Sequence, residues 1–203
     1  MNKFMQVFEW IYRLLFLNAL WLLFTLGGLI VFGLFPSTVS MFHLTKEWLA
    51  GNTDIPILKT FFTKFKEEFL RSQLLGAVLV VIGALLYFDI QFFFQEEGMV
   101  FYLMRYVMIT VGFVYIIMLP FVFPLFVQDK LKLGEFLKNV LIISMTRIFH
   151  SLIMAVGCFT IFVVFTQFAG LFIFFLGSTV AFWLTWNSRI AMNKIKQKLA
   201  ITS

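Results

Sequence analysis

Five polar side chains stand out within the apolar stretches of this sequence, since each carries a hydrogen-bonding or titratable group with few polar neighbours. A buried polar group costs free energy unless it is paired with a partner. Such groups therefore mark either contacts between helices or a place where a ligand binds. The five residues form the candidate ligand pocket: Asn18, Ser37, Thr38, Ser40 and His150.

Three of these side chains fall in the segment 36–40, which reads PSTVS. Proline suits the first turn of a helix, where its missing N–H costs nothing. If Pro36 opens a helix inside a membrane, the N–H groups of that turn and the three hydroxyls converge. A buried helix start of this kind suits an anionic or carbonyl group. The alternative is that Ser37 or Thr38 caps its own helix.

The other polar groups have structural as well as functional interpretations. Asn18 and His150 are each typical of a residue that forms a hydrogen bond between two membrane helices. For His150, the alternative is a role in binding substrate or transferring a proton. Arg147 stands three residues before His150 at the start of an apolar run, where we expect its guanidinium to reach lipid phosphates. Trp183 and Trp186 are typical of an aromatic belt at the membrane interface.

Two prolines, Pro120 and Pro124, are one helical turn apart near the end of an apolar run. Each removes a backbone hydrogen bond and presses on the carbonyl four residues earlier. We therefore expect a kinked or broken helical end. The pattern fits a static kink and also a hinge that moves during transport.

Nothing in the sequence supports catalysis. It has one cysteine and two histidines, and no group of them has metal-ligand spacing. Paired intramembrane carboxylates, a Ser/His/Asp arrangement in recognisable context and a glycine-rich phosphate loop are also missing from the sequence. We predict a non-enzymatic protein without metal or cofactor.

The composition is that of a membrane protein. Of 203 residues, 62% are hydrophobic and 13% are charged, whereas a soluble domain has about 25% charged residues. Uncharged runs cover residues 14–45, 72–88, 106–128 and 148–188, and a bilayer crossing needs roughly 20 apolar residues. The sequence therefore predicts an all-α, polytopic transmembrane helix bundle that forms one integral domain, 1–203.

Polar residues divide the chain into segments. We predict an amphipathic lead (1–13), five full crossings (14–35, 72–95, 106–127, 148–166 and 170–188), a short half-membrane helix (36–49), an interfacial helix (57–71) and a tail (189–203). The short helix covers only about half of the apolar thickness, at a rise of 1.5 Å per residue. Together with the first crossing, the short helix would form a tilted hairpin. The chain then has either five full crossings, or six if the short helix is counted as a crossing.

Lysine and arginine in short loops set the orientation. Segment 46–71, residues 128–138 and the tail carry most of these residues, whereas segment 89–105 holds only Arg105. The basic segments, including the C-terminus, are therefore predicted to be cytoplasmic. The side of the N-terminus depends on whether the number of crossings is five or six. Because the net charge of +6 is explained by these loops, we predict the lipid bilayer and no nucleic acid as a partner.

The segment 57–71 has the pattern of an amphipathic helix. Its leucine and phenylalanines recur at helical spacing on one face, and basic residues occupy the remainder. Such a helix lies in the membrane interface with its aromatic side chains in the acyl boundary. It is either an anchor that leads into the next crossing or a surface that docks a cytoplasmic partner. The basic residues of that surface are Lys59, Lys64, Lys66 and Arg71.

The chain resembles the YesL-like family of bacterial membrane proteins over its whole length, since length and helix order agree, and its first third is the specific part. The resemblance rests on the spacing of Asn18 and Trp21, the glycines that follow, the step Pro36-Ser37-Thr38, and residues 61–69. It implies an integral protein of the bacterial plasma membrane, encoded beside carbohydrate uptake systems that often include ABC-type sugar importers. The family supplies no established catalytic residues.

We therefore expect an accessory or regulatory partner of carbohydrate import. The alternative is a small transporter, or a membrane protein that binds a lipid or small molecule in a pocket near Pro36–Ser40. A homo-oligomer is compatible with either function.

Overall fold

The structure, a computed structural model, describes residues 3–128 and 130–202, and within them the side chains of residues 5–128, 130–168 and 170–193. This part of the chain is built from helices joined by short connections. In chain order they are α1 (Lys3–Gly27), α2 (Leu34–Leu49), α3 (Ile57–Glu67), α4 (Phe69–Gln95), α5 (Met99–Phe126), α6 (Leu133–Thr146), α7 (Ile148–Thr166) and α8 (Ala169–Thr202).

In the part of the chain that the structure describes, five helices are long and apolar enough to cross a bilayer. They include residues Met5–Gly27 of α1, all of α4, α5 and α7, and Gly170–Asn193 of α8. Their outward side chains are large and hydrophobic, with most of each helix exposed on the surface of the bundle. Lipid is the solvent that such a surface requires. The predicted all-α transmembrane bundle is confirmed.

The first crossing ends earlier than the uncharged run that predicts it. α1 joins the amphipathic lead to the crossing but stops at Gly27, rather than at residue 35. Residues 28–33 form a tight turn in which Leu29 and Ile30 have φ of 54° and 65°. A Cβ on Gly28 would lie 2.5 Å from the Cα of Gly33, which is too close for a side chain. The two backbone segments can approach this closely because both residues are glycine.

α1 and α2 form a hairpin whose two open ends meet at one end of the bundle. The rings of Trp10 and Trp48 pack edge to face with centroids 6.0 Å apart. At the closed end, Gln73 of α4 donates a hydrogen bond to the carbonyl of Val31. The 16-residue α2 is deeply buried and packs against α1, α3, α4, α5 and α8.

Basic side chains hold the helix ends together at the end of the bundle where α2 and α5 stop. Lys46 donates to the carbonyl of Val127, 2.8 Å away, and Arg189 donates to the carbonyl of Leu49. Arg71 reaches the carbonyl of Leu131 in the α5–α6 connection. We call the end that carries these cations and Lys132 the basic end. The α4–α5 connection lies at the opposite end, where Arg105 donates to the carbonyl of Phe93, 3.0 Å away.

A short helix leads directly into a long one at two places. α3 passes into α4 through Glu68 alone, and α6 passes into α7 through Arg147 alone. Each long helix then pairs with the next one, α4 with α5 and α7 with α8. The predicted interfacial helix, 57–71, is therefore split, because its last residues belong to α4. The α8 helix likewise continues through the predicted tail.

Candidate functional site

The amide of Asn18 fastens α1 to α8. Its Nδ2 donates to the carbonyl of Ile173 at 2.7 Å, and its Oδ1 accepts the backbone N–H of Ser178 at 3.0 Å. Asn18 is 1% exposed, and a Cβ on Gly177 would lie 2.8 Å from its Oδ1. The amide therefore lies directly on the α8 backbone at a glycine, in the arrangement typical of a polar contact between membrane helices.

The hydroxyl of Thr38 joins α2 to α1. It accepts a hydrogen bond from Nε1 of Trp21 at 3.0 Å and donates to the carbonyl of Leu34 at 2.7 Å. Ser40, which is fully buried, donates to the carbonyl of Pro36 at 2.8 Å. Both hydroxyls thus have partners within the bundle.

The start of α2 differs from the free helix terminus that the proline predicts. The helix begins at Leu34, and Pro36 lies in its first turn. The N–H groups of Leu34 and Ser37 bond to the carbonyls of Ile30 and Gly33, so the preceding turn occupies them. Gly33 stands at the N-cap and provides no side-chain cap. Neither Ser37 nor Thr38 caps the helix.

Ser37 remains the candidate with an unused group. It is 0% exposed, and its Oγ has no hydrogen-bond partner among the described residues. A buried hydroxyl without a partner costs on the order of 1–3 kcal/mol. This hydroxyl is thus unpaired among the described residues, but Ser37 does not line the cleft that Thr38 lines.

A cleft with a volume of about 470 Å³ lies between α1, α2, α5, α7 and α8. Thr38 is the candidate pocket residue that lines it, and Asn18 touches the cleft wall at Gly177. The walls are almost wholly apolar, as in sites that hold hydrophobic molecules. Other lining residues are Trp21, Phe42, Pro120 and Cys158.

His150 lies apart from the other candidates. It occupies the first turn of α7, next to the break at Arg147, whereas α7 lines the cleft with Ala155 and Cys158. Arg147 is partly buried, and its Nε has no hydrogen-bond partner among the described residues. The expected contact of this guanidinium with a lipid phosphate stays a prediction.

The two predicted belt tryptophans have different environments. Trp183 packs between α7 and α8, where its Nε1 donates to the carbonyl of Met154 at 3.3 Å. Its indole covers Gly157 so closely that a Cβ there would overlap the ring. Trp186 is 48% exposed and faces outward, with its ring 6.2 Å from that of Trp183. Trp186 therefore has the exposure of a belt residue, while Trp183 joins two helices.

The predicted docking residues fall into two groups. Lys59 and Lys66 are exposed on α3. Lys64 is paired with Glu67 at 2.6 Å, and this hydrogen bond and charge hold the pKa of the Glu67 carboxyl below its usual 4.5. Arg71 belongs to α4, where it is 3.2 Å from Glu68 and lies over the ring of Phe126.

The aromatic face of α3 packs mainly on protein. The rings of Phe61 and Phe65 lie 5.2 and 5.1 Å from the ring of Phe24 on α1. Phe61 is fully buried, whereas Leu58 and Phe62 are exposed at the surface. The phenylalanines of α3 therefore do not all lie in the acyl boundary as expected. The helix packs on α2 and on Phe24 of α1, with its basic side outward.

The prolines lie inside one continuous helix. α5 runs through both Pro120 and Pro124 to Phe126, and Gln128 donates to the carbonyl of Pro124 at 3.1 Å. The helix is not broken at either position. Whether the pair acts as a hinge stays a prediction.

Sequence reasoning missed a polar contact between α2 and α8. The buried hydroxyls of Thr45 and Thr185 are 3.0 Å apart, and Lys46 and Arg189 flank them at the basic end. The available signal was weak, since each residue stands at the end of an apolar run. It does not reveal that the two ends meet.

Comparison with known proteins places the chain in a family. Residues 14–90 match the family described as "Protein of unknown function, DUF624". The uncharacterized protein YteU of Bacillus subtilis (strain 168) is 34% identical over 182 residues, or 90% of this chain and 82% of that protein. The uncharacterized protein YesL of the same organism is 34% identical over 189 residues, or 93% and 89% of the two chains.

No solved structure matches the chain significantly. The two relatives nevertheless align with it along most of their length, beyond the part that the family model covers. The predicted resemblance along the chain, beyond its specific first third, is therefore confirmed. The chain belongs to the YesL-like DUF624 family of helical membrane proteins.

Proposed function

We propose that this protein is a non-enzymatic accessory or regulatory partner of carbohydrate import by an ABC-type importer. In this proposal it lies in the bacterial plasma membrane with its basic end, and hence its C-terminus, toward the cytoplasm. The concentration of lysine and arginine at that end supports the orientation. That the partner is a sugar importer is inferred from the resemblance to a family whose members are encoded beside sugar uptake systems.

The observation that carries the proposal is the placement of the polar groups. Within the bundle, Asn18, Thr38 and Ser40 use their hydrogen bonds on backbone or side-chain partners of the protein itself. A transporter needs ionisable or multiply polar groups at mid-membrane for coupling. The exposed cations lie instead at the basic end, where a soluble partner can reach them.

The α3 helix has the properties of a preformed docking surface. Its ring contacts with Phe24 hold it against α1, while Lys59 and Lys66 are exposed. A rigid surface loses little conformational freedom when it binds, which favours affinity. Its exposed lysines suit an acidic patch on the partner, and such contacts mainly set the association rate.

Growth on single oligosaccharides tests the proposal. We would delete the gene, complement it with variants, and measure growth on each sugar in turn. Wild type and Lys132→Glu/Lys138→Glu are expected to restore growth, whereas Lys59→Glu/Lys66→Glu is not. The control changes the net charge equally at two exposed lysines, Lys132 directly before α6 and Lys138 within it.

Each variant must first be shown to reach the membrane at the wild-type level. Co-purification of the importer's subunits with wild type, and its loss in the α3 variant, would support direct docking. Unaltered growth of the deletion strain on every sugar would refute the importer role. Equal complementation by the two charge variants would refute α3 as the docking element.

The cleft of about 470 Å³ favours a second candidate function, the binding of a lipid or hydrophobic small molecule. Ala155 lines the cleft from α7, so Ala155→Phe fills part of it. Val163 on the same helix is 41% exposed, and Val163→Phe is the matched control. Native mass spectrometry should show a retained ligand that Ala155→Phe alone removes. Identical spectra for the two variants would argue against an occupied cleft.

A further inference from the structure

A second cleft, of about 250 Å³, lies at the basic end between α2, α8 and the end of α5. Its polar lining consists of Lys46, Gln128, Thr185, Arg189 and Asn193. The volume is below the roughly 300–1,000 Å³ of sites for drug-sized ligands. The space therefore suits a small polar group rather than an extended molecule.

The charge of this cleft is positive. Lys46 and Arg189 line it from different helices, and none of its described lining residues carries a carboxylate. Glu47, the next residue after Lys46, accepts a hydrogen bond from Asn52 at 2.7 Å. Two cations with hydroxyl and amide donors around one space are the groups that bind a phosphate.

Both cations are held in place by helix ends. Lys46 donates one of its three N–H groups to the carbonyl of Val127, and Arg189 donates to the carbonyl of Leu49. An ammonium and a guanidinium have three and five donors, so each retains donors for an anion. Because these carbonyl contacts position the cations beforehand, an anion would bind without first ordering the long side chains.

The neighbouring face of α8 supplies a further unused group. Thr185, Ser188 and Arg189 share one helical face, at spacings of three and four residues. Ser188 is 0% exposed, and its hydroxyl has no hydrogen-bond partner within the described part of the chain. A buried hydroxyl normally finds a partner. Ser188 does not itself line the cleft, but it lies between Thr185 and Arg189 in the sequence, and both of these residues do.

We propose that the cleft between Lys46 and Arg189 is a binding site for a phosphate group. Two sources have this chemistry at the membrane boundary, the headgroup of an anionic lipid and a soluble phosphate such as a sugar phosphate. Lys46 and Arg189 form the charged contacts, while Thr185 and Gln128 contribute uncharged donors. None of the residues that line this cleft belongs to α3.

Thermal unfolding of the purified, delipidated protein in a neutral detergent tests the site. The probes are phosphatidylglycerol, phosphatidylcholine, inorganic phosphate and glucose 6-phosphate, each titrated separately. Lys46→Gln/Arg189→Gln keeps an amide donor at both positions but removes both charges. Lys59→Gln/Lys66→Gln removes the same charge from α3 and is the matched control.

Phosphatidylglycerol or a soluble phosphate is expected to raise the melting temperature of wild type and of the α3 control. The cleft variant should need at least about tenfold more of the same probe, because charge-assisted contacts are lost. A response to phosphatidylglycerol alone identifies a lipid site, and a response to the soluble phosphates identifies a soluble ligand. Equal responses to phosphatidylglycerol and phosphatidylcholine, no response to any probe, or an unchanged response of the cleft variant would overturn the proposal.

Lys46→Arg/Arg189→Lys provides a second check, since it keeps both charges. It should bind the probe within about threefold of wild type, even if its unliganded melting temperature is lower. Loss of binding in this variant as large as in the glutamine variant would show that the cleft depends on the fold around it rather than on its charge.

Discussion

The contact between Asn18 and Gly177 gives a quantitative test of what holds α1 to α8. Asn18→Ala removes two hydrogen bonds to the α8 backbone, those to Ile173 and Ser178. Hydrogen bonds between membrane helices contribute about 0.6 kcal/mol on average and about 1.7 at most. The two bonds together therefore predict a loss of about 1–3 kcal/mol in the free energy of unfolding.

Gly177→Ala should disturb the same contact from the other side. The new Cβ would lie 2.8 Å from Oδ1 of Asn18, closer than such atoms approach, so the amide must move off the backbone. The cost is expected to be similar to that of Asn18→Ala. Once residue 18 is alanine, the Cβ meets Trp21 and Met41 at 3.6 and 3.7 Å, which are ordinary contacts. Gly177→Ala should then cost little, because alanine is also the better helix former by up to about 1 kcal/mol.

The double-mutant cycle can be measured by reversible unfolding in mixed micelles. We expect a coupling energy of about 1 kcal/mol or more, since the two single variants destroy one shared interaction. Gly134→Ala is the control, because its Cβ meets no atom within 4 Å. Additivity of the two variants within about 0.5 kcal/mol would refute the proposed contact.

Two further predictions concern other contacts of the bundle. Gly157→Ala should push the Trp183 indole away from α7 and break its hydrogen bond to the carbonyl of Met154. We expect a lower melting temperature and a shifted tryptophan emission, and an unchanged emission spectrum would contradict this packing. The ion pair of Lys64 with Glu67 is present above the usual pKa of the Glu67 carboxyl, 4.5, and is lost as the pH falls through its lowered pKa. Lys64→Gln should therefore raise the Glu67 pKa toward 4.5 in an NMR titration, and an unaltered pKa would show that the pair does not form.

Helix limits were predictable from sequence where a charge or a proline marks them. Arg147 precedes α7, which begins at Ile148, and Pro36 lies in the first turn of α2. The end of α1 carries no such mark. It falls within an uncharged run, and its cause is the contact of Gly28 with Gly33 across the turn. A hydropathy pattern does not show where two backbone segments approach each other closely, so it could not predict this helix end.

The partners of the polar side chains were less predictable. The sequence indicates that Asn18 needs a hydrogen-bond partner, yet that partner is a backbone carbonyl 155 residues later. A backbone group has no residue-specific signal, so no pattern identifies it. The pairing of Thr45 with Thr185 is likewise set by how α2 crosses α8. The chemistry of each group could be foreseen, and the geometry could not.

The single residue between α3 and α4 has a mechanical consequence. Since Glu68 is the whole connection, a protein that pulled on α3 would load the first turn of α4 without slack. Arg71 in that turn is tied both to Glu68 and to the carbonyl of Leu131, so the strain would pass onward to the segment before α6. A displacement of α3 would then also displace α6, so that a partner bound to one of these helices would affect the position of the other.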